Sequence, residues 1–101
     1  MGNYLMGFDV GTSGSKGVII STDGQVVATG EVEHGVDFPK PAWAEQDPEA
    51  VYWGDFVKIT RKMLAVSQIN PKDIKGIGVS GLTPDVAPVD EAGRPMKWSE
   101  R

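Results

Sequence analysis

The sequence predicts an α/β domain: a mixed sheet that opens with three antiparallel strands, carries a helix on one face, and regains a strand parallel to the first. Three observations support this. Short apolar and β-branched runs alternate with turn residues over the first third of the chain. One central stretch spaces its apolar residues at the helical period. A further β-branched run follows that stretch, and a strand returning after a crossover helix pairs parallel.

The first strand is Tyr4-Leu5-Met6-Gly7-Phe8-Asp9-Val10, an apolar run interrupted by one acid near its end. The second is Lys16-Gly17-Val18-Ile19-Ile20-Ser21, and the third is Gln25 to Val32. Both are rich in the β-branched residues that suit a pleated surface. Thr22-Asp23-Gly24-Gln25 joins them, and an Asp-Gly pair between β-branched runs signals a hairpin. Gly11-Thr12-Ser13-Gly14-Ser15, between the first two strands, is a longer turn rich in hydroxyls. His34 to Ala44 holds Pro39 and Pro41 and reads as an extended loop.

Asp47-Pro48-Glu49 is a helix start: a capping side chain, a proline at the first helical position, and an acid at the positive end of the dipole. Tyr52, Phe56, Ile59, Met63 and Val66 then recur at spacings of 4, 3, 4 and 3, one stripe of an amphipathic helix. Asp55, Lys58 and Lys62 are expected on another face. The pattern ends near Gln68, and Asn70-Pro71 breaks it. Ile74 to Ser80 is the strand expected to pair parallel to the first. Val86 to Asp90 is a further extended piece, and Asp90-Glu91-Ala92-Gly93-Arg94 repeats the turn chemistry of residues 22–25.

Composition narrows the function. The chain has 101 residues, room for one small domain. Val, Ile, Leu and Phe fill 24 of the 101 positions, above the level of about 20% below which chains tend to stay disordered. A net charge of −4 gives no electrostatic reason to hold nucleic acid or an anionic membrane. The absence of cysteine excludes disulfides, thiolate metal sites and thiol catalysis. The single histidine, His34, cannot form a histidine cluster, and is expected to be a strand-end residue outside any chemistry. The first ten residues carry Asp9 within the apolar run and no basic flank, unlike a signal peptide. No apolar run approaches the roughly 20 residues of a membrane span. A cytoplasmic protein is expected. The charged end Trp98-Ser99-Glu100-Arg101, with no closing helix, reads as a cut rather than a finished chain.

The densest chemical signal is Phe8-Asp9-Val10-Gly11-Thr12-Ser13-Gly14-Ser15-Lys16. An aspartate at a strand end precedes a turn with two glycines, three hydroxyls and a lysine. Glycine lets backbone N–H groups come close to an anion, hydroxyls add donors, Lys16 adds charge, and Asp9 can hold a divalent cation. This is not the G-x-x-x-x-G-K-[ST] loop that opens into a helix. On composition alone, an ordinary glycine-serine turn with a solvated Asp and Lys fits equally well.

GFDVGTSGSKGVIISTDGQVV resembles the first phosphate-binding segment of the actin-like ATPases, and more narrowly that of the FGGY carbohydrate kinases. Further segments follow in register. Pro41 to Pro48 is similar to a P-G-W-x-E-Q-D-P stretch, Ile77 to Gly81 to an I-x-x-S-G strand end, Asp90 to Pro95 to a D-x-x-G-x-P hairpin, and Trp98 to Arg101 to a W-x-[DE]-x-R region. The resemblance implies a ribonuclease H-like, actin-like ATPase topology, with residues 1–101 as the N-terminal portion of the first of two such domains. It implies phosphoryl transfer from ATP to a hydroxyl of a sugar or polyol, with Mg2+. By resemblance, Asp9 holds the magnesium, and Gly11, Thr12, Ser13 and Lys16 approach the transferred phosphoryl group. The catalytic base and the adenine pocket would lie in parts of such a kinase outside these residues.

Gly81 to Val86 is the expected sugar contact, with Thr83, Pro84 and Asp85 as substrate-binding candidates. They stand where pentulose kinases read G-Q-M-H-G, which weakens a xylulose reading. The Arg-Glu pair of glycerol kinases is missing, which argues against glycerol. Glu45, Gln46 and Asp47 are expected to tie the loop to the helix start. Trp43, Trp53 and Trp98 are expected to pack rather than stack on substrate. Two other classes compete: a different actin-like ATPase, such as a chaperone or filament protein, and a stand-alone binding module. Apolar surface left facing absent partners would make an isolated chain marginally stable, or let it associate as a homo-oligomer.

Overall fold

Alternation along the strands decides which face of the sheet is buried. In the computed structural model, which describes residues 2–42, 44–81 and 87–96, the strands are β1 (Tyr4–Val10), β2 (Gly14–Ser21), β3 (Val26–Glu33) and β4 (Ile74–Gly81). They form one sheet in the order β3-β2-β1-β4. β1 pairs antiparallel with β2 and parallel with β4, and β2 pairs antiparallel with β3. The expected mixed sheet is therefore present, with the strand after the helix beside the first.

Between β3 and β4 the chain winds through a π-type turn, Pro48–Trp53, into helix α1 (Gly54–Ser67), then a 3-10 turn, Pro71–Asp73. Asp47 caps the entry, its carboxylate accepting from the N–H groups of Glu49 (3.0 Å) and Ala50 (3.2 Å). At the exit Gln68 takes the left-handed conformation and its amide closes on the Leu64 carbonyl. Asn70 then caps the short turn through the Lys72 N–H.

Helix α1 lies on the face formed by Met6, Phe8, Ser15, Gly17, Ile19, Ala28 and Gly30. The buried apolar core is Met6, Phe8, Ile19, Ala28, Ile59 and Met63. Phe56 joins it edge-on to Phe8, with ring centroids 5.1 Å apart. The helix comes close because the strands beneath it carry glycines. A Cβ on Gly17 would sit 2.6 Å from Ile59 Cγ2 and 2.9 Å from Met63 Cε, and one on Gly30 would sit 3.1 Å from Ile59 Cγ2.

Two helix expectations are corrected. Asp55, expected on the solvent face, is buried at 3% exposure; it lies four residues before Ile59 and so shares the inward stripe. Val66, expected in that stripe, is 69% exposed. In the last turn the inward line passes from Met63 through Leu64 to Ile69, both packed on the core. Boundaries also move: β2 begins at Gly14 rather than Lys16, which shortens the hydroxyl-rich turn.

α1 covers β2 and β3 and leaves β4 open. Ile77 and Val79 are in register with Met6 and Phe8, yet are 54% and 70% exposed. Beyond β4, Val89 and Pro95 form an antiparallel bridge across the Asp90–Arg94 turn. The Asp90 carboxylate accepts from the N–H groups of Ala92 and Arg94, and Gly93 takes φ 79°. Trp43, the Thr83–Asp85 stretch and the Trp98–Arg101 segment lie outside the described residues.

The close helix–sheet approach makes a direct prediction. Gly17→Ala drives a methyl into the stiff, buried Ile59 and should lower unfolding free energy by about 1–3 kcal/mol. Urea denaturation compared with the unchanged chain measures it.

Candidate functional site

The alternation that buries Phe8 turns Asp9 to the opposite face of the sheet. Its cross-strand neighbours there are Lys16 on β2 and Ser80 on β4, and Glu31 on β3 stands opposite Lys16. Ser80 Oγ donates to Asp9 Oδ1 at 2.6 Å, which orients the carboxylate and leaves its other oxygen for a ligand. Asp9 also sits near the carboxyl ends of the two parallel strands, since Val10 and Gly81 close β1 and β4 side by side. Ligands of open α/β sheets bind outside such ends.

The loop that follows is tied down through its carbonyls. Gly11 N–H donates to the Gly14 carbonyl at 2.8 Å. This closure demands glycine: a Cβ at position 11 would lie 2.9 Å from that oxygen. The Gly11 carbonyl faces His34 Nε2 at 2.8 Å. The Thr12 carbonyl accepts from Gln46 Nε2 at 2.9 Å. The Ser13 carbonyl accepts from the His34 amide at 2.9 Å. A trans peptide is planar, with N–H and C=O pointing opposite ways. The N–H of Thr12 is therefore turned away from the His34 ring, and that of Ser13 away from Gln46.

The structure brings Asp9, Gly11, Thr12, Ser13 and Lys16 to one recess, which Gly14, Ser15, Glu31, Glu33 and His34 also border. Thr83, Pro84 and Asp85 lie outside the described residues, so their place relative to it is not defined. The charges are informative: three carboxylates (Asp9, Glu31, Glu33) against one lysine would repel a bare phosphate. A divalent cation held by Asp9 would reverse that balance. Among the described residues no cluster of three or more His, Asp or Glu could hold a metal. One free carboxylate oxygen suits Mg2+, which takes one or two carboxylates and completes its shell with substrate phosphates and water.

Behind the loop lies a buried polar cluster that sequence reasoning missed. Asp55 Oδ2 accepts from Ser15 Oγ at 2.7 Å and faces His34 Nδ1 at 2.7 Å. The His34 and Asp55 side chains are 5% and 4% exposed. His34 is indeed at a strand end, but its ring is enclosed and joins the loop to α1. The signal available was the position of Asp55 within the inward stripe, where a carboxylate needs partners. Gln46 does tie the loop region to the helix start, as expected. Its amide also donates to Gly35 O at 3.2 Å, and its carbonyl accepts from Tyr52 Oη at 3.1 Å.

Residues 4–99 match the FGGY family of carbohydrate kinases, N-terminal domain. The chain belongs to this family.

Among the FGGY kinases, a glycerol kinase from Thermoanaerobacter sp. (strain X514) is 35% identical over 80 residues, 79% of this chain and 16% of that protein. A glycerol kinase from Rhizobium rhizogenes is 29% identical over 106 residues, 100% of this chain and 21% of that protein. A xylulose kinase structure from Rhodospirillum rubrum superposes with TM-score 0.82 at 25% identity, over 94% of this chain and 19% of that one. A kinase of the same class from Brucella ovis gives TM-score 0.87 at 28% identity, over 94% and 20%. The chain thus spans about a fifth of these relatives. The four-stranded mixed sheet under a helix is the actin-like ATPase arrangement of these kinases, as the resemblance implied. Among the described residues no helix is long and apolar enough to cross a membrane.

The cluster behind the loop carries its own prediction. Asp55→Ala strands a buried imidazole and a buried hydroxyl and should cost about 3 kcal/mol. Chemical denaturation should show this loss.

Proposed function

We propose that this chain is the opening part of the first actin-like domain of a kinase that moves the terminal phosphoryl group of ATP to a hydroxyl of a sugar or polyol. The observation that carries the reading is the placement of Asp9 and the Gly11–Gly14 loop on one recess, at the carboxyl ends of two parallel strands. In this reading the hydroxyls of Thr12 and Ser13, the N–H edge of the loop and Lys16 donate to phosphoryl oxygens. Phosphoryl transfer spreads negative charge over those oxygens in the transition state, so fixed donors stabilise it more than the ground state. Asp9 would hold Mg2+, which neutralises phosphate charge when bound. Ser80 orients that carboxylate from β4.

The acceptor sugar is assigned to residues leaving β4. β4 ends at Gly81 beside Val10, one residue from Asp9, and with the family resemblance this favours Thr83, Pro84 and Asp85 as sugar contacts. Family membership favours a carbohydrate acceptor over the alternatives of another actin-like ATPase or a binding module. The base that takes the hydroxyl proton and the adenine pocket are assigned to the rest of the enzyme. So is the cover for Ile77 and Val79, because relatives are about five times as long as this chain.

The test uses the intact protein carrying this chain, screened with ATP and Mg2+ against ketoses, aldonates and polyols. One class should be phosphorylated. Asp9→Asn should then lower kcat on the order of 10²-fold or more while sugar affinity stays within about twofold. An unchanged kcat would remove Asp9 from the magnesium role. The 101-residue chain by itself should show no turnover, and turnover there would refute the assignment of the base elsewhere.

A further inference from the structure

His34, at the end of β3, links helix α1 to the Gly11–Gly14 loop through both its backbone and its ring. Its own amide donates to the Ser13 carbonyl and its ring faces the Gly11 carbonyl. The other ring nitrogen faces Asp55, which also accepts from Ser15. Both ring nitrogens therefore meet acceptors. A neutral imidazole donates from one nitrogen only. The Gly11 carbonyl can only accept, so Nε2 is the donor in this grip.

We propose that His34, braced by Asp55, is a positioning residue for the loop: it fixes the carbonyls of Gly11 and Ser13 and so sets the N–H edge of Thr12 for phosphate. The role of that edge rests on the kinase reading above; the grip itself does not. The grip has a chemical consequence. Donation to the Gly11 carbonyl polarises the Gly11–Thr12 peptide and strengthens the Thr12 N–H as a donor.

Nitrogen-15 NMR of the chain reads the ring directly. A proton on Nε2, the ring nitrogen that faces the Gly11 carbonyl, is expected. A bare Nε2 would overturn the grip. Amide exchange in His34→Gln then separates positioning from general stability. The amides of Gly11 and of position 34, which donate to the Gly14 and Ser13 carbonyls, should exchange about tenfold faster, the loss of roughly one hydrogen bond, while amides within β1, β2 and β3 change less than about twofold. Equal acceleration everywhere, or none in the loop, would overturn the proposal. In the intact protein, His34→Gln should lower kcat about tenfold, again the loss of roughly one hydrogen bond, and leave the sugar KM unchanged. Full activity refutes the role. An unchanged protein with no kinase activity would refute the kinase reading instead, and the NMR and exchange results would still decide the grip.

Discussion

A single buried carboxylate holds three parts of this domain together. Asp55 stands in the first turn of α1. It reaches Ser15 on the sheet and His34 at the end of β3. All three side chains are enclosed, so none can exchange its partner for water at low cost. The carboxylate can reach them only because α1 sits deep against the sheet, and it sits deep because Gly17 and Gly30 offer no side chains beneath Ile59 and Met63. Two glycines, a helix stripe and one acid thus act as one unit. Relaxing the helix outward would cost apolar contact and the polar cluster at once.

The same packing explains the division of the sheet into two chemistries. The face under α1 is apolar apart from Ser15 and its partners. The opposite face carries Asp9, Lys16, Glu31 and Ser80. Period-2 alternation makes the division unavoidable: once Phe8 is in the core, Asp9 must face away. The helix also covers only part of its face. The radius of gyration is 15.7 Å, against about 13 Å for a compact domain of 100 residues, in keeping with an open β4 flank.

Much of the architecture was legible in the sequence because it depends on local rules. The bounds of β1, the Asp23-Gly24 turn, the Asp47 cap and the break after Gln68 each rest on neighbouring residues and a known backbone preference. The parallel return of β4 follows from connectivity. The candidate site was legible in part, since Asp9, Gly11, Thr12, Ser13 and Lys16 fall within one short segment. What was not legible depends on contacts distant in sequence. Asp55 is a surface residue by type; its burial follows from Ser15, 40 positions away, and His34, 21 positions away. Val66 fits the helical period but lies where the inward line has moved to Leu64 and Ile69. The π-type turn before α1 leaves no signature in the apolar spacing.

The loop's construction explains how a segment with so little regular structure is held in one conformation. A glycine-rich turn is costly to order, and hydroxyl-rich turns often satisfy their own backbone groups. Here the work is divided. The Gly11, Thr12, Ser13 and Gly14 carbonyls accept from Gly11, His34 and Gln46, so the loop's acceptors are engaged on the protein side. Peptide planarity then directs the Thr12 and Ser13 donors away from those partners. The donors of the loop are freed by engaging its carbonyls rather than by adding positive side chains; among the described residues Lys16 is the only lysine or arginine bordering the recess. A loop built this way would bind phosphate weakly by bulk charge and well by geometry, which is the balance a site must strike if the phosphoryl group is to leave it.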